Sequence, residues 1–257
     1  MQEEFSRLEL LLGADAIRRL QDAHVLLLGV GGVGSWAAEA LARTAVGHLT
    51  LVDFDTVKVS NINRQLPALH STLGRPKVEV VAQRLLDINP HLDLTALNLH
   101  LTPDNLPGLL LQRPWSHVID AIDERAAKVA ALALCARHGI PVVSSMGAAR
   151  KTSSDGISVV DLSETSGCHL ARLVRKALRR LGVTSGIPVV FSPALPDEPQ
   201  AEATPETPGE RRPMGTIAFL PAIFGIKCAE HAVSAILNPN KPHPNTGTPH
   251  HAYPESD

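Results

Sequence analysis

The segment Gly29-Val30-Gly31-Gly32-Val33-Gly34 joins a short, wholly apolar run, HVLLLGV at 24–30, to an Ala-rich stretch at 36–45 that Gly47 stops. The apolar run is too short and too uniform for a surface helix and predicts a strand buried on both faces. The Ala-rich stretch predicts a helix. A glycine-rich turn in this setting permits a tight bend and close backbone approach. Its free N–H groups, at the positive end of a helix, favour an anion. The next predicted strand, HLTLVDFD at 48–55, ends around Asp53, about twenty residues on, where a carboxylate accepts hydrogen bonds from ribose hydroxyls. Together the two features predict a ribose-bearing nucleotide. A glycine turn that serves only helix–strand packing is the weaker alternative.

Short β-branched or Leu-rich runs continue to alternate with segments of helical period. This predicts an α/β fold, Rossmann-like and doubly wound, with a mostly parallel sheet and mixed strands towards the C-terminus. GRPKVEVVAQRLLDINP (74–90) spaces Val78, Val81, Leu85 and Ile88 as a helix and stops at Pro90. Strands are expected near 93–99, 117–120 and 140–145, with a helix at 124–138. Beyond 156 the expected order is a strand near 157–162, a helix at 168–181, strands near 187–191 and 216–219, and a last helix to about 237.

Composition narrows the classes. Lys and Arg number 24 against 26 Asp and Glu, a formal charge of −2, which excludes a globally basic nucleic-acid coat but leaves room for a local patch. The three cysteines, Cys135, Cys168 and Cys228, form no Cys-x-x-Cys pair, so neither a disulfide framework nor a structural zinc site is expected, and a reducing cytoplasm fits. The start, MQEEFSRLEL, lacks the basic segment and apolar run of an export signal. Around 216–237 the longest apolar stretch is interrupted by Lys227, Glu230 and His231, which favours a packed or interface helix over a membrane span. Six of the 20 prolines fall in 193–213 and five in 238–257. Both are expected to be loops or disordered, with His243, His250 and His251 marking a flexible end. One domain over 1–237 is the resulting expectation, with a flexible tail after it.

Taken alone, the glycine loop and Asp53 suit NAD. Residues further along the chain point to a larger anionic load: Asp55, then Asn61, Asn63, Arg64 and Gln65 in SNINRQ, then Lys77 after Gly-Arg-Pro. An Arg and a Lys near the second strand's end supply charge for a triphosphate. Asp120 and Asp123 end the fourth strand, where a carboxylate can hold Mg²⁺ against phosphates. A helix N-cap at Asp123 is an equal reading of the position.

This constellation resembles the adenylating family that includes ubiquitin-activating enzymes and the bacterial proteins that adenylate sulfur carriers. The shared elements are the Gly29, Gly31, Gly32 and Gly34 loop, Asp53 with Asp55, the Asn61 to Gln65 segment, Lys77 and Asp123. The resemblance implies ATP as the bound nucleotide, with Asp53 on its ribose, Arg64 and Lys77 on its phosphates, and Asp123 organising Mg²⁺. It also implies a homodimer, because Phe5-Ser6-Arg7 before LELLLG is similar to the family's N-terminal helix, whose Arg reaches the partner subunit's ATP; here that residue is Arg7.

Within the family, the segments VIDAID, ISVVDLSETSGCHLARLVRKALRRLGV and GTIAFLPAIFGIKCAEHAV are similar to the tRNA threonylcarbamoyladenosine dehydratases, over roughly residues 5–237. Cys168-His169 depart from that branch, which has Asp-Pro before Leu-Ala-Arg. The implied reaction adenylates the threonyl carboxylate on the modified adenosine at position 37 of tRNA, then closes the neighbouring carbamoyl group on the activated carbonyl, expelling AMP. The alternative is adenylation of the C-terminal carboxylate of a ubiquitin-like or sulfur-carrier protein. A cysteine-desulfurase or sulfur-acceptor system is a partner class the resemblance leaves open, whereas DNA and membranes are not expected partners. Neither half of the cyclase reaction needs a protein nucleophile, so Cys168 is read as a helix-start residue and Cys135 and Cys228 as core. Five cations, Arg172, Arg175, Lys176, Arg179 and Arg180, gather on the helix 168–181 opposite Leu170, Leu173, Val174, Ala177, Leu178 and Leu181. They are the expected tRNA-phosphate contacts.

Overall fold

The computed structural model describes residues 3–198 and 214–239. Two short helices, α1 (Ser6–Leu12) and α2 (Ala14–Gln21), come first and break at Gly13. The alternation then runs β1 (His24–Leu28), α3 (Gly34–Arg43), β2 (His48–Asp53), α4 (Lys77–Ile88), β3 (Asp93–Asn98), α5 (Leu106–Leu110), β4 (His117–Asp120), α6 (Arg125–His138) and β5 (Val142–Ser145). β6 (Ser158–Asp161), α7 (His169–Arg180), β7 (Pro188–Phe191) and α8 (Phe219–Leu237) complete the described elements.

The sheet has seven strands in the order β3-β2-β1-β4-β5-β7-β6. Every pairing is parallel except β6 with β7. This is the expected Rossmann-like α/β class with a mixed C-terminal edge. The chain lays down β1, β2 and β3 towards one edge and returns to β4 on the other side of β1. Loops leaving β1 and β4 therefore diverge, and the crevice between them at the strands' carboxyl ends is where such sheets take ligands.

β1 is uniformly apolar because both of its faces are covered. Val25 and Leu27 join Ala37, Leu41, Val78, Leu85 and Phe224 in one core under α3, α4 and α8. Leu26 and Leu28 join Leu106, Ala127, Leu132 and Val174 in the other, under α5, α6 and α7. Cys135 and Cys228 lie wholly inside these cores, as expected. Burial, with negative Asp120 adding to it, pushes the Cys135 thiol up to about 12, which leaves it inert. α8 is long and apolar enough to cross a membrane by length and composition, but it packs closely on α3. A Cβ at Gly225 would come within 2.3 Å of the Val33 carbonyl oxygen.

The structure differs from the sequence reading in several places. No strand forms at 216–219: Gly215 and Thr216 give their carbonyls to the Arg150 amide and the Asn63 side chain, and α8 starts at Phe219. α2 and α5 were not anticipated. In α5 the apparent breaker Pro107 sits in the first turn, where its missing N–H is tolerated. Leu181 is 44% exposed and belongs to neither core. Residues 193–198 are irregular, while 199–213 and 240–257, with the tail histidines, lie outside the described residues.

A Cβ at Gly34 would lie 1.8 Å from the Gly29 carbonyl oxygen. Gly34→Ala is expected to destabilise the fold by about 3 kcal/mol or more, read as a lowered urea midpoint. Gly108→Ala, with open space around it, should be neutral or stabilising by up to about 1 kcal/mol.

Candidate functional site

A cavity of about 1040 Å³ opens at the carboxyl ends of the strands, and its lining runs from β2 across the crevice to β5 and α7. Gly29, Gly31 and Gly32 line it beside Asp53. The Asp53 carboxylate binds the loop to the second strand: Oδ2 accepts from the Val30 amide at 2.8 Å and Oδ1 from the Asp55 amide at 2.9 Å. Each oxygen keeps a further lone pair for a ligand hydroxyl. Burial raises the Asp53 pKa above the usual carboxylate range, an effect that nearby Lys77 and the two amides oppose.

Lys77 opens α4, is 4% exposed, and donates to Asp55 Oδ2 at 2.7 Å. Lys77 and Asp55 thus form a joined base and acid on the cavity wall. Arg64 lines the cavity with its Nη1 donating to Ser60 O at 2.7 Å and Asn63 Oδ1 at 2.9 Å. Asn61 and Gln65 are buried and also line it, and Asn61 Oδ1 accepts from the Lys58 amide to close the local turn. Two of the predicted ATP-binding residues do not line it. Gly34 lies beneath the loop against Gly29, and Asn63 Nδ2 is committed to Thr216 O at 3.0 Å.

Asp123 lies exposed in the lining and makes no hydrogen bond or ion pair among the described residues. The N-cap of α6 is Glu124, so Asp123 is not the cap. Asp120 points the other way, into a buried cluster. Lys128 Nζ donates to Asp120 Oδ2 at 2.7 Å, Ser145 O at 3.0 Å and Ser144 Oγ at 3.2 Å, with both charged side chains fully buried. Ser144 Oγ and the Ile122 amide donate to the same carboxylate, which fixes the turn that carries Asp123. No group of three or more His, Cys, Asp or Glu able to hold a metal occurs among the described residues. A lone carboxylate matches magnesium's habit of taking one or two carboxylates plus ligand phosphates.

The sequence reading missed several wall residues. Phe54 and His100, with ring centroids 4.3 Å apart, offer an aromatic surface on the β2 side. Lys58 adds a cation there, and its place between Asp55 and Asn61 could have marked it. Arg150 and Lys151 line the opposite side with Cys168 and His169.

α7 begins in the cavity: Cys168 is its N-cap, and Cys168, His169, Leu170 and Leu173 are in the lining. Arg172, Lys176, Arg179 and Arg180 are exposed, and Arg172 bonds to His169 Nδ1 at 3.0 Å. Arg175 leaves the predicted cationic face, because its guanidinium donates to Leu162 O, Thr165 O and Thr165 Oγ1. Arg7 lies exposed on α1, outside this cavity, next to Leu10 and Leu11, which are 89% and 79% exposed.

Fold and crevice define a Rossmann-like protein with an anion-accepting glycine loop at its switch point, and the chain belongs to the ThiF family, which it matches over residues 5–255. It is 38% identical to the tRNA threonylcarbamoyladenosine dehydratase of Bacillus subtilis (strain 168) over 244 residues, 92% of this chain and 96% of that protein. The Escherichia coli (strain K12) protein of the same name is 36% identical over 253 residues, 92% and 94% of the two chains. The crystal structure of the E. coli tRNA N6-threonylcarbamoyladenosine dehydratase in complex with ATP superposes with a TM-score of 0.84 at 36% identity, covering 93% of this chain and 95% of that one.

Asp53→Asn is expected to weaken ATP binding about 10- to 100-fold, the scale of losing charge-assisted hydrogen bonds. Protonation has the same effect, so wild-type affinity, measured by calorimetry, falls as pH drops from neutral through the raised Asp53 pKa, and the variant lacks that dependence. Lys128→Met leaves Asp120 buried without its cation, which costs about 3–5 kcal/mol in urea unfolding. Adding Asp120→Asn recovers part of the loss.

Proposed function

We propose that this chain catalyses ATP-dependent cyclisation, with loss of water, of threonylcarbamoyladenosine in tRNA through an acyl-adenylate. The observation that carries the reading is the single continuous cavity. Its β2 side holds the glycine loop, Asp53, Arg64 and Lys77, and its lining continues past the end of β5 to the start of α7. The full-length likeness to tRNA threonylcarbamoyladenosine dehydratases supports the same substrate.

In this reading the loop amides and the α3 N-terminus take the phosphates, Asp53 the ribose hydroxyls, and Phe54 with His100 the adenine face. Arg64 and Lys77 neutralise charge as the threonyl carboxylate attacks the α-phosphate and pyrophosphate leaves. Asp123 holds magnesium, which screens the phosphate charge when bound. The protein works by alignment and electrostatics, and no side chain forms a bond to substrate. Arg7 serves the partner subunit's site in a cytoplasmic homodimer, and the exposed Leu10 and Leu11 beside it support that contact. The tRNA backbone follows Arg172, Lys176, Arg179 and Arg180 along α7, which leads the modified nucleotide into the cavity where that helix begins.

Incubation with ATP and modified tRNA should yield AMP, pyrophosphate and a tRNA nucleoside lighter by one water in mass spectrometry. Reversing the four exposed α7 cations to Glu should weaken tRNA binding at least about tenfold and flatten its salt dependence, with ATP binding intact. Unchanged tRNA affinity would remove the α7 track. Pyrophosphate exchange that depends on a Gly-Gly-terminated carrier protein instead of tRNA would overturn the substrate assignment.

A further inference from the structure

Three lysines are buried at or beneath this cavity, and they are not alike. Lys77 and Lys128 each sit on a carboxylate at 2.7 Å. Lys151 is 5% exposed, lines the side of the cavity opposite the glycine loop, and donates at 2.7 Å to a neutral acceptor, the Ser192 carbonyl at the end of β7. Among the described residues it makes no ion pair. An amine held by one carbonyl spends one hydrogen there. In its neutral form it keeps a second hydrogen and a lone pair.

The backbone that delivers Lys151 is strained. Arg150 has a φ of 59°, in the left-handed region that residues with a side chain rarely adopt. Its amide donates to Gly215 O at 2.9 Å, its carbonyl accepts from the Asp197 amide at 2.7 Å, and its Nη2 donates to Asp197 O at 3.2 Å. Such over-determined strain concentrates where a site needs a side chain placed against its local preference. Here the turn at Arg150 precedes the one buried lysine of the three that has no carboxylate.

Resting on the cyclase reading, we propose that Lys151 is the general base of ring closure, taking the proton that the carbamoyl group loses as it attacks the adenylated threonyl carbonyl. The bond that forms joins a carbamoyl atom to the threonyl carbonyl carbon. The bond that breaks is from that carbon to the AMP oxygen, which leaves with the electron pair as AMP. The N–H proton passes to Lys151 Nζ, so the sum is a closed ring, AMP and a protonated lysine, with no redox partner. Burial lowers the Lys151 pKa below the usual lysine range, against the opposing influence of the Cys168 thiol, which brings the amine closer to the range in which a base works. The charged and titratable groups around it are Arg150, Asp197 tied to Arg150, and Cys168 and His169 at the start of α7. Of these, His169 Nδ1 already accepts from Arg172.

The test is a single turnover of the full-length protein with ATP and modified tRNA, quenched and read by mass spectrometry for acyl-adenylate and ring-closed nucleoside. Lys151→Ala and Lys151→Arg are expected to accumulate the adenylate and to close the ring about 100-fold more slowly or worse. Small primary amines should restore closure to Lys151→Ala, better as their basicity rises. In wild type the closure rate climbs with pH to a plateau, and in both variants that climb is lost. Normal closure by Lys151→Arg, which keeps the cation and a donor to Ser192, would reduce Lys151 to a structural tie and overturn the proposal. So would closure lost in His169→Ala and not in the Lys151 variants. Wild-type protein that makes no AMP with modified tRNA would instead bring down the cyclase reading itself.

Discussion

Contact between backbone atoms at the foot of the crevice governs the rest of this structure. Side chains are excluded at three points: a Cβ at Gly34 would meet Gly29 O, one at Gly29 would meet Ala121 O at 2.8 Å, and one at Gly225 would meet Val33 O. Through these contacts α3 starts directly on the end of β1, β4 emerges against the loop, and α8 seals its back. The Gly29 amide bonds to Val52 O and the Val30 amide to Asp53, which brings β2 into the same junction. An anion that approaches the loop therefore meets amides and the positive end of a helix at close range, with no side chain in the way.

A second constraint is buried charge. Removing Asp120 and Lys128 from water is costly, and the cost is offset only because the carboxylate also receives Ser144 Oγ and the Ile122 amide while the ammonium also reaches Ser144 and Ser145. The cluster crosslinks β4, α6 and β5. It also separates two acids only three residues apart, turning Asp120 inward to hold the frame and leaving Asp123 in the cavity. The same frame sets the end of β5, from which the wall through Met146 to Lys151 departs.

Alternation of strands and helices was legible because a two-sided sheet demands it. β1, β2 and β4 read directly, for their apolar runs have no amphipathic competitor. The site was legible where its chemistry sits in contiguous motifs, as with Asp53, Arg64 and Lys77. It was illegible where a residue's fate depends on a distant partner. Lys128, in an Ala-rich helix, looks like a solvated charge until Asp120 and Ser144 meet it. Arg175 fits the cationic stripe by spacing, yet the turn around Leu162 and Thr165 captures it. Asn63 belongs to a recognisable motif, but its amide is taken by Thr216, from a segment far away along the chain. Arg150 carries no local sign of its left-handed backbone, which is held by Gly215 and Asp197 from far along the chain.

These captures change what a near-neutral charge means. Lys77, Lys128 and Lys151 are buried, Arg175 is tied to carbonyls, and Arg84 and Arg43 both bind Glu39. Cations free to meet a polyanion are therefore fewer than the total of 24 suggests. Against that smaller number, the four exposed on α7 weigh more. Position adds to number, because the first turn of α7 lines the cavity while its later turns carry the remaining charges outward. A surface that only attracted nucleic acid would have no reason to begin inside the pocket. One proposed to bring a single nucleotide of a long polyanion to a fixed point does, and in that reading α7 would serve as wall at its start and as track along its length.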